Sequence, residues 1–157
     1  MKIIDYKSVD VVNGFGTRSS IWFSGCDHMC KGCFSKNTWN YDNGSDIDIY
    51  KLVDNDMNDP IIKRDGISLL GGDPLFHKNR GGVLRFVAWF KDKYPEKTIW
   101  MWTGYTKDEI SKDVSMCGII RFIDVLIDGK FEEDKKDPDL KWRGSSNQII
   151  HLLNKEK

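Results

Sequence analysis

The chain has 157 residues, 24 basic and 24 acidic, for a formal net charge of zero at pH 7. With no basic stripe interleaved with aromatics, that balance excludes recruitment of nucleic acid or an anionic membrane by charge. Hydrophobic residues at 39% and charged residues at 31% describe a soluble globular chain, long enough for one domain spanning residues 1–157 with its own core.

The opening Met1-Lys2-Ile3-Ile4-Asp5-Tyr6 is broken by charge at once, unlike a signal peptide. No apolar run nears the roughly 20 residues that span a bilayer. The expectation is a cytoplasmic protein, a compartment in which clustered thiols mean metal or catalysis. Asn13-Gly14-Phe15-Gly16-Thr17-Arg18 is not a dinucleotide loop, because a third glycine in register is missing and a strand follows it. It reads as a turn into the first strand, with Arg18 expected to pair with a carboxylate beside a pocket or with a surface acid. Ser19–Ser24 is predicted as that strand, running into Gly25 and a cysteine loop. Asp48–Asn58, with Ile49, Leu52, Val53 and Met57, has helical spacing. Ile67–Leu70 is a short buried strand ending at Gly71-Gly72, and Val83–Tyr94 is a helix stopped by Pro95. Thr98–Thr103 is a strand, Lys107–Met116 a helix and Asp124–Ile127 another strand.

Alternating strands and helices predict an α/β fold with a largely parallel sheet. A closed eight-fold barrel takes about 250 residues, so the chain has room only for an open, partial (β/α) barrel or curved sheet. Ligands of such folds sit at the C-terminal strand ends. There the sequence places the cysteine loop, Gly71-Gly72-Asp73-Pro74, Thr103-Gly104-Tyr105 and Asp128-Gly129-Lys130.

Cys26, Cys30 and Cys33 form a C-x3-C-x2-C loop. Structural zinc sites use four protein ligands, whereas three cysteines on a four-iron cluster leave one iron open. Gly25 and Gly32 let the backbone wrap such a cluster and aim amides at its sulfurs. The competing reading is a zinc knuckle completed by His28, His77 or Cys117. Gly71 and Gly72 permit close approach of a ligand, and Asp73 offers a carboxylate for a cationic amine. Cys117 reads as a buried structural thiol, His28 as facing solvent or a partner, and His77 and His151 carry no assigned role. Trp142-Arg143-Gly144-Ser145-Ser146-Asn147-Gln148 either caps the rim or forms a terminal turn, and Glu132–Lys136 reads as a solvated loop.

The cysteine triplet and Gly71-Gly72-Asp73-Pro74 resemble the radical S-adenosylmethionine superfamily. The stretches 12–18, Ser24-Gly25-Cys26, Trp102-Thr103-Gly104-Tyr105, 125–131 and 142–148 are similar to its branch that activates anaerobic ribonucleoside-triphosphate reductase. The resemblance implies an open partial barrel of the radical S-adenosylmethionine type. It implies that Cys26, Cys30 and Cys33 ligate a [4Fe–4S] cluster whose fourth iron is chelated by S-adenosylmethionine. Gly71, Gly72 and Asp73 would cradle the methionyl amine, Gly32 and Phe34 would lie against the adenosyl group, and Thr103 and Gly104 would approach the cofactor. Asp73 stands where the superfamily commonly has glutamate, and Gly32 where many members have an aromatic. The implied activity is one-electron cleavage of S-adenosylmethionine, fed by a low-potential electron donor, and hydrogen abstraction from a glycine of the reductase. Trp39 and Trp142 would face that partner. A radical enzyme acting on a small molecule and a zinc-binding adaptor are the alternatives.

Overall fold

β1 (Ile3–Asp10) pairs antiparallel with β2 (Arg18–Phe23) at one side of a six-stranded sheet in this computed structural model, which describes residues 1–153. β2, β3 (Gly66–Gly71), β4 (Thr98–Trp102) and β5 (Val125–Asp128) lie side by side and parallel. β6 (Ile149–Leu152) adds antiparallel to β5. Among the described residues the strand order follows the chain, and β1 does not pair with β6, so the sheet is open. The expected α/β class with a largely parallel sheet is what forms. The two antiparallel edge strands were not anticipated, since β1 alternates charge with few apolar residues.

Register explains why the strand ends form one rim. Phe23 pairs with Gly71, and Trp102 with Ile127, so the four parallel strands stop at nearly the same level. The helices α1 (Ile49–Met57), α2 (Arg80–Lys93), α3 (Lys107–Ser111) and α4 (Val114–Ile120) make the connections. Strand side chains alternate between the two faces. Ile21, Phe23, Ile67, Leu69, Ile99, Met101 and Leu126 pack with Val53, Phe86, Val87, Phe90, Met116 and Ile119 in the main core. Burial of an aromatic such as Phe86 or Phe90 contributes about 1.5–3 kcal/mol.

The alternate residues face the other way. Trp100, Val125 and Ile127 form a smaller cluster with Trp102, Trp142 and Ile150. Arg18 lies on this second face, 1% exposed, and the structure corrects the expectation that it pairs with a carboxylate. It donates to Ser68 Oγ at 2.9 Å, Thr98 Oγ1 at 3.0 Å and the carbonyls of Ile67, Thr98 and Phe15 at 2.7, 2.8 and 3.2 Å. Its guanidinium carbon lies 5.5 Å from the Trp100 ring centroid. Burial lowers its pKa to about 10, against the raising fields of Asp65, Asp124 and Asp10.

The predicted single helix over Lys107–Met116 is two. Asp113 adopts an extended conformation and accepts from the Ser115 and Met116 amides at 2.8 and 3.1 Å, capping α4. Arg80 holds the same carboxylate at 2.7 Å. A side chain that offers backbone amides a local partner competes with helix continuation, and here it wins.

Candidate functional site

Cys26, Cys30 and Cys33 line one cavity of about 230 Å³ at the rim of the parallel strands. Its walls are Trp22, Leu70 and Trp102 from the second sheet face, Gly71, Gly72, Thr103, Gly104 and Gly129 from the strand ends, and Phe131 and Gln148 from the C-terminal segment. All four cysteines of the chain are free thiols. Burial pushes the Cys26 thiol up to about 12, opposed by the nearby backbone of His28 and Met29. Burial also raises Cys30, against the Phe131 amide, and the Ser35 amide donates to Cys33 Sγ at 3.4 Å. The Ser35 amide is thus aimed at a thiol sulfur, as amides around cluster sulfurs commonly are.

The donor set fits a [4Fe–4S] cluster. Among the described residues, no three His, Cys, Asp or Glu side chains gather closely enough to hold a single metal ion. The three cysteines instead line one shared cavity, the arrangement that a multinuclear centre requires. The zinc alternative loses each proposed fourth ligand: His28 points at Asp73, His77 is exposed beside Asp27 at 3.6 Å, and Cys117 donates to the Ile110 carbonyl on the helical side. Cys117 is half-buried, close to the structural reading.

Asp73, 1% exposed, joins three segments. Its Oδ1 accepts from the Leu75 amide at 2.8 Å, its Oδ2 accepts from the Gly104 amide at 3.0 Å, and the Thr103 hydroxyl lies 2.9 Å from both oxygens. His28 Nε2 meets Oδ2 at 2.7 Å, with the His28 side chain 8% exposed. His28 therefore turns inward from the cysteine loop, contrary to the expectation that it faces solvent or a partner. Tyr105 packs its ring edge-on, 4.6 Å between centroids. Its hydroxyl pKa is raised by burial first and by Asp73 next.

Two glycines are required by these contacts. A Cβ on Gly104 would stand 2.3 Å from the His28 ring, and one on Gly72 would stand 2.5 Å from the Gly25 carbonyl oxygen. The cysteine loop itself carries Met29 at φ 47 and Gly32 at φ 74, left-handed positions that cost a methionine more than a glycine.

Of the predicted site residues, the three cysteines, Gly71, Gly72, Thr103 and Gly104 come together around the cavity. Gly32 and Phe34 stand outside its wall: Gly32 faces Glu133, and Phe34 is 79% exposed, with Lys136 Nζ 4.7 Å from its ring centroid. Trp39 lines the cavity, whereas Trp142 packs against Trp100 at 4.8 Å and receives the Trp102 indole N–H on its carbonyl at 2.7 Å. The 142–148 stretch braces the segment after β5. Gln148 bridges the Gly144 amide and the Gly129 carbonyl at 2.8 and 2.9 Å, and Asn147 donates to the Lys130 carbonyl at 2.8 Å. Sequence reasoning missed Asn13, Trp22 and Phe131 as cavity walls, whereas Gln148 lines the cavity as the rim-capping reading of 142–148 expected. Alternation within each strand puts Trp22 on the face of Trp102 only once the register pairs Trp22 with Leu70 and Leu69 with Met101.

Residues 12–151 match the family model of a 4Fe-4S single cluster domain. The chain is 46% identical over 155 residues to the anaerobic ribonucleoside-triphosphate reductase-activating protein of Escherichia coli K12, covering 98% of this chain and 99% of that one. The Pasteurella multocida protein of the same name is 46% identical over 153 residues, covering 96% and 97%. The Enterobacteria phage T4 protein is 39% identical over 143 residues, covering 90% and 87%. With three free thiols around one rim cavity and relatives matched over nearly their whole length, the chain belongs to the family of anaerobic ribonucleoside-triphosphate reductase-activating proteins, whose domain is of the 4Fe-4S single cluster type.

Proposed function

We propose that this chain is the activating enzyme of an anaerobic ribonucleoside-triphosphate reductase and that it works by reductive cleavage of S-adenosylmethionine. The observation that carries the reading is the placement of three cysteine thiols at the rim of a parallel sheet, in a chain whose relatives bear that activating name. Cys26, Cys30 and Cys33 would hold the [4Fe–4S] cluster. When bound and reduced, the cluster supplies the electron that breaks the S–C5′ bond. The chain itself binds and shields. Gly71 and Gly72, bare of side chains, let the methionyl end approach the backbone, while Thr103 and Gly104 form the opposite lip. Trp22, Trp102 and Phe131 offer apolar walls that keep water from the reacting centre.

The open sheet is read as a partial (β/α) barrel of the radical S-adenosylmethionine type, one domain over residues 1–157. An open mouth suits a macromolecular substrate, since a glycine-bearing loop of the reductase can enter where a small-molecule enzyme must enclose its substrate. No helix of the described residues is long and apolar enough to cross a membrane, and the reading places the protein in the cytoplasm with a low-potential electron donor.

The test is anaerobic reconstitution with iron and sulfide, then incubation with reductant, S-adenosylmethionine and the reductase. The expected results are a brown protein, methionine and 5′-deoxyadenosine as products, and a glycyl-radical doublet in the electron paramagnetic resonance spectrum of the reductase. A colourless zinc protein would overturn the reading. So would S-adenosylmethionine cleavage that delivers hydrogen from a free metabolite and never from the reductase.

A further inference from the structure

We infer that His28 and Asp73 form a clasp that fixes the cysteine loop against the ends of β3 and β4, making Asp73 a positioning residue rather than a ligand of the S-adenosylmethionine ammonium. The ammonium part of this inference rests on the proposed function, whereas the clasp rests on geometry alone.

A carboxylate presents roughly four lone-pair sites. In Asp73 they face four donor groups: the Leu75 amide, the Thr103 hydroxyl, the Gly104 amide and His28 Nε2. An ammonium would have to displace one of them. The carboxylate is also sealed from solvent and contributes nothing to the cavity wall, although Gly71, Gly72, Thr103 and Gly104 on either side of it do.

His28 explains the shape of the loop. Its flanking residues Asp27 and Met29 are exposed, yet its ring is inside. Met29, directly after it, takes the left-handed conformation at φ 47 that turns the chain back toward Cys30. Gly104 serves the clasp twice: its amide donates to Asp73, and its missing side chain leaves room for the imidazole. The Tyr105 ring closes the remaining side. One carboxylate thereby sets the distance between the thiols and the glycine backbone across which the substrate must lie. A displacement of about 1 Å in such a pair is enough to cost a large factor in rate.

The experiment uses His28→Leu, His28→Gln, Asp73→Asn and the His28→Leu/Asp73→Asn double variant. Hydrogen exchange is read at the amides of residues 27–33 and 104 in the metal-free protein. Iron content and S-adenosylmethionine affinity are read after reconstitution. His28→Leu should accelerate exchange at those amides and weaken S-adenosylmethionine binding about ten- to a hundredfold, the scale of one hydrogen bond to a charged group. His28→Gln, which keeps a donor, should recover most of both. The double variant should be no worse than the poorer single variant, as expected of two partners in one contact. Unchanged exchange in His28→Leu would overturn the clasp, and this readout survives any failure to load iron. If the losses of the single variants multiply in the double variant, Asp73 contacts the ligand independently and its positioning role falls. If the wild-type protein binds no S-adenosylmethionine, the proposed function fails while the exchange result still decides the clasp.

Discussion

Gly104 has no side chain because the His28 ring occupies the place where one would stand, at 2.3 Å. Gly104→Ala should therefore push the ring off Asp73 and destabilise the metal-free protein by about 1–3 kcal/mol, the cost of overpacking, as read by urea unfolding. An unchanged midpoint would mean that the loop yields freely. Among the thiols, Cys26→Ala, Cys30→Ala and Cys33→Ala should each abolish the visible absorption of reconstituted protein. Cys117→Ser should leave iron content untouched and change stability by about 1 kcal/mol or less. The cysteines were legible because cluster ligands close together in sequence announce themselves by spacing. The partnership of His28 with Asp73 was not, since the two lie 45 positions apart and neither residue type in its local context names the other.

At the scale of elements, the sheet's second face is organised around a buried cation that forms no ion pair among the described residues. Arg18 reaches from β2 under β3 to the start of β4 and ties three strands through carbonyls and hydroxyls. Lysine offers three donors in place of the guanidinium's five. Arg18→Lys should accordingly cost about 1–3 kcal/mol for each acceptor left bare, measured by denaturant unfolding without metal. A variant as stable as the parent would remove Arg18 from that role. The helices were readable from apolar periodicity, and α1 and α2 fall close to their predicted spans. The break between α3 and α4 was hidden because Asp113 acts through a turn it shares with Arg80, a residue on another helix. The edge strands β1 and β6 escaped for a related reason: their pairing is set by neighbours, and their own residues alternate weakly.

For the whole molecule, acid stability follows from carboxylates held below their usual range. Asp59 is lowered from 3.8 to about 2, chiefly by the Arg64 guanidinium and then by the Ile61 and Ile62 amides. Asp113 is lowered to about 2, first by the Ser115 hydroxyl and next by the Met116 amide. A folded pKa below the unfolded one adds stability that is complete above pH 3.8 and lost as pH falls through about 2. Unfolding of the metal-free protein should steepen across that window, and Asp59→Asn should flatten the slope. An identical acid profile would exclude the Arg64 contact as its source.

The residue order alone dictated the α/β class, the three thiols and the glycine-rich strand ends, because each is written in short-range spacing: a period of two or 3.6, or a handful of positions within one loop. Which strands became neighbours, which face stayed uncovered by helices, and which side chains closed the cavity were decided by folding. Those outcomes depend on register between strands tens of residues apart, and on burial that only the assembled sheet creates. Asp73 carries both lessons. Its place after two glycines marks it in the chain, but only the packing of His28 and Thr103 against it determines what its oxygens touch.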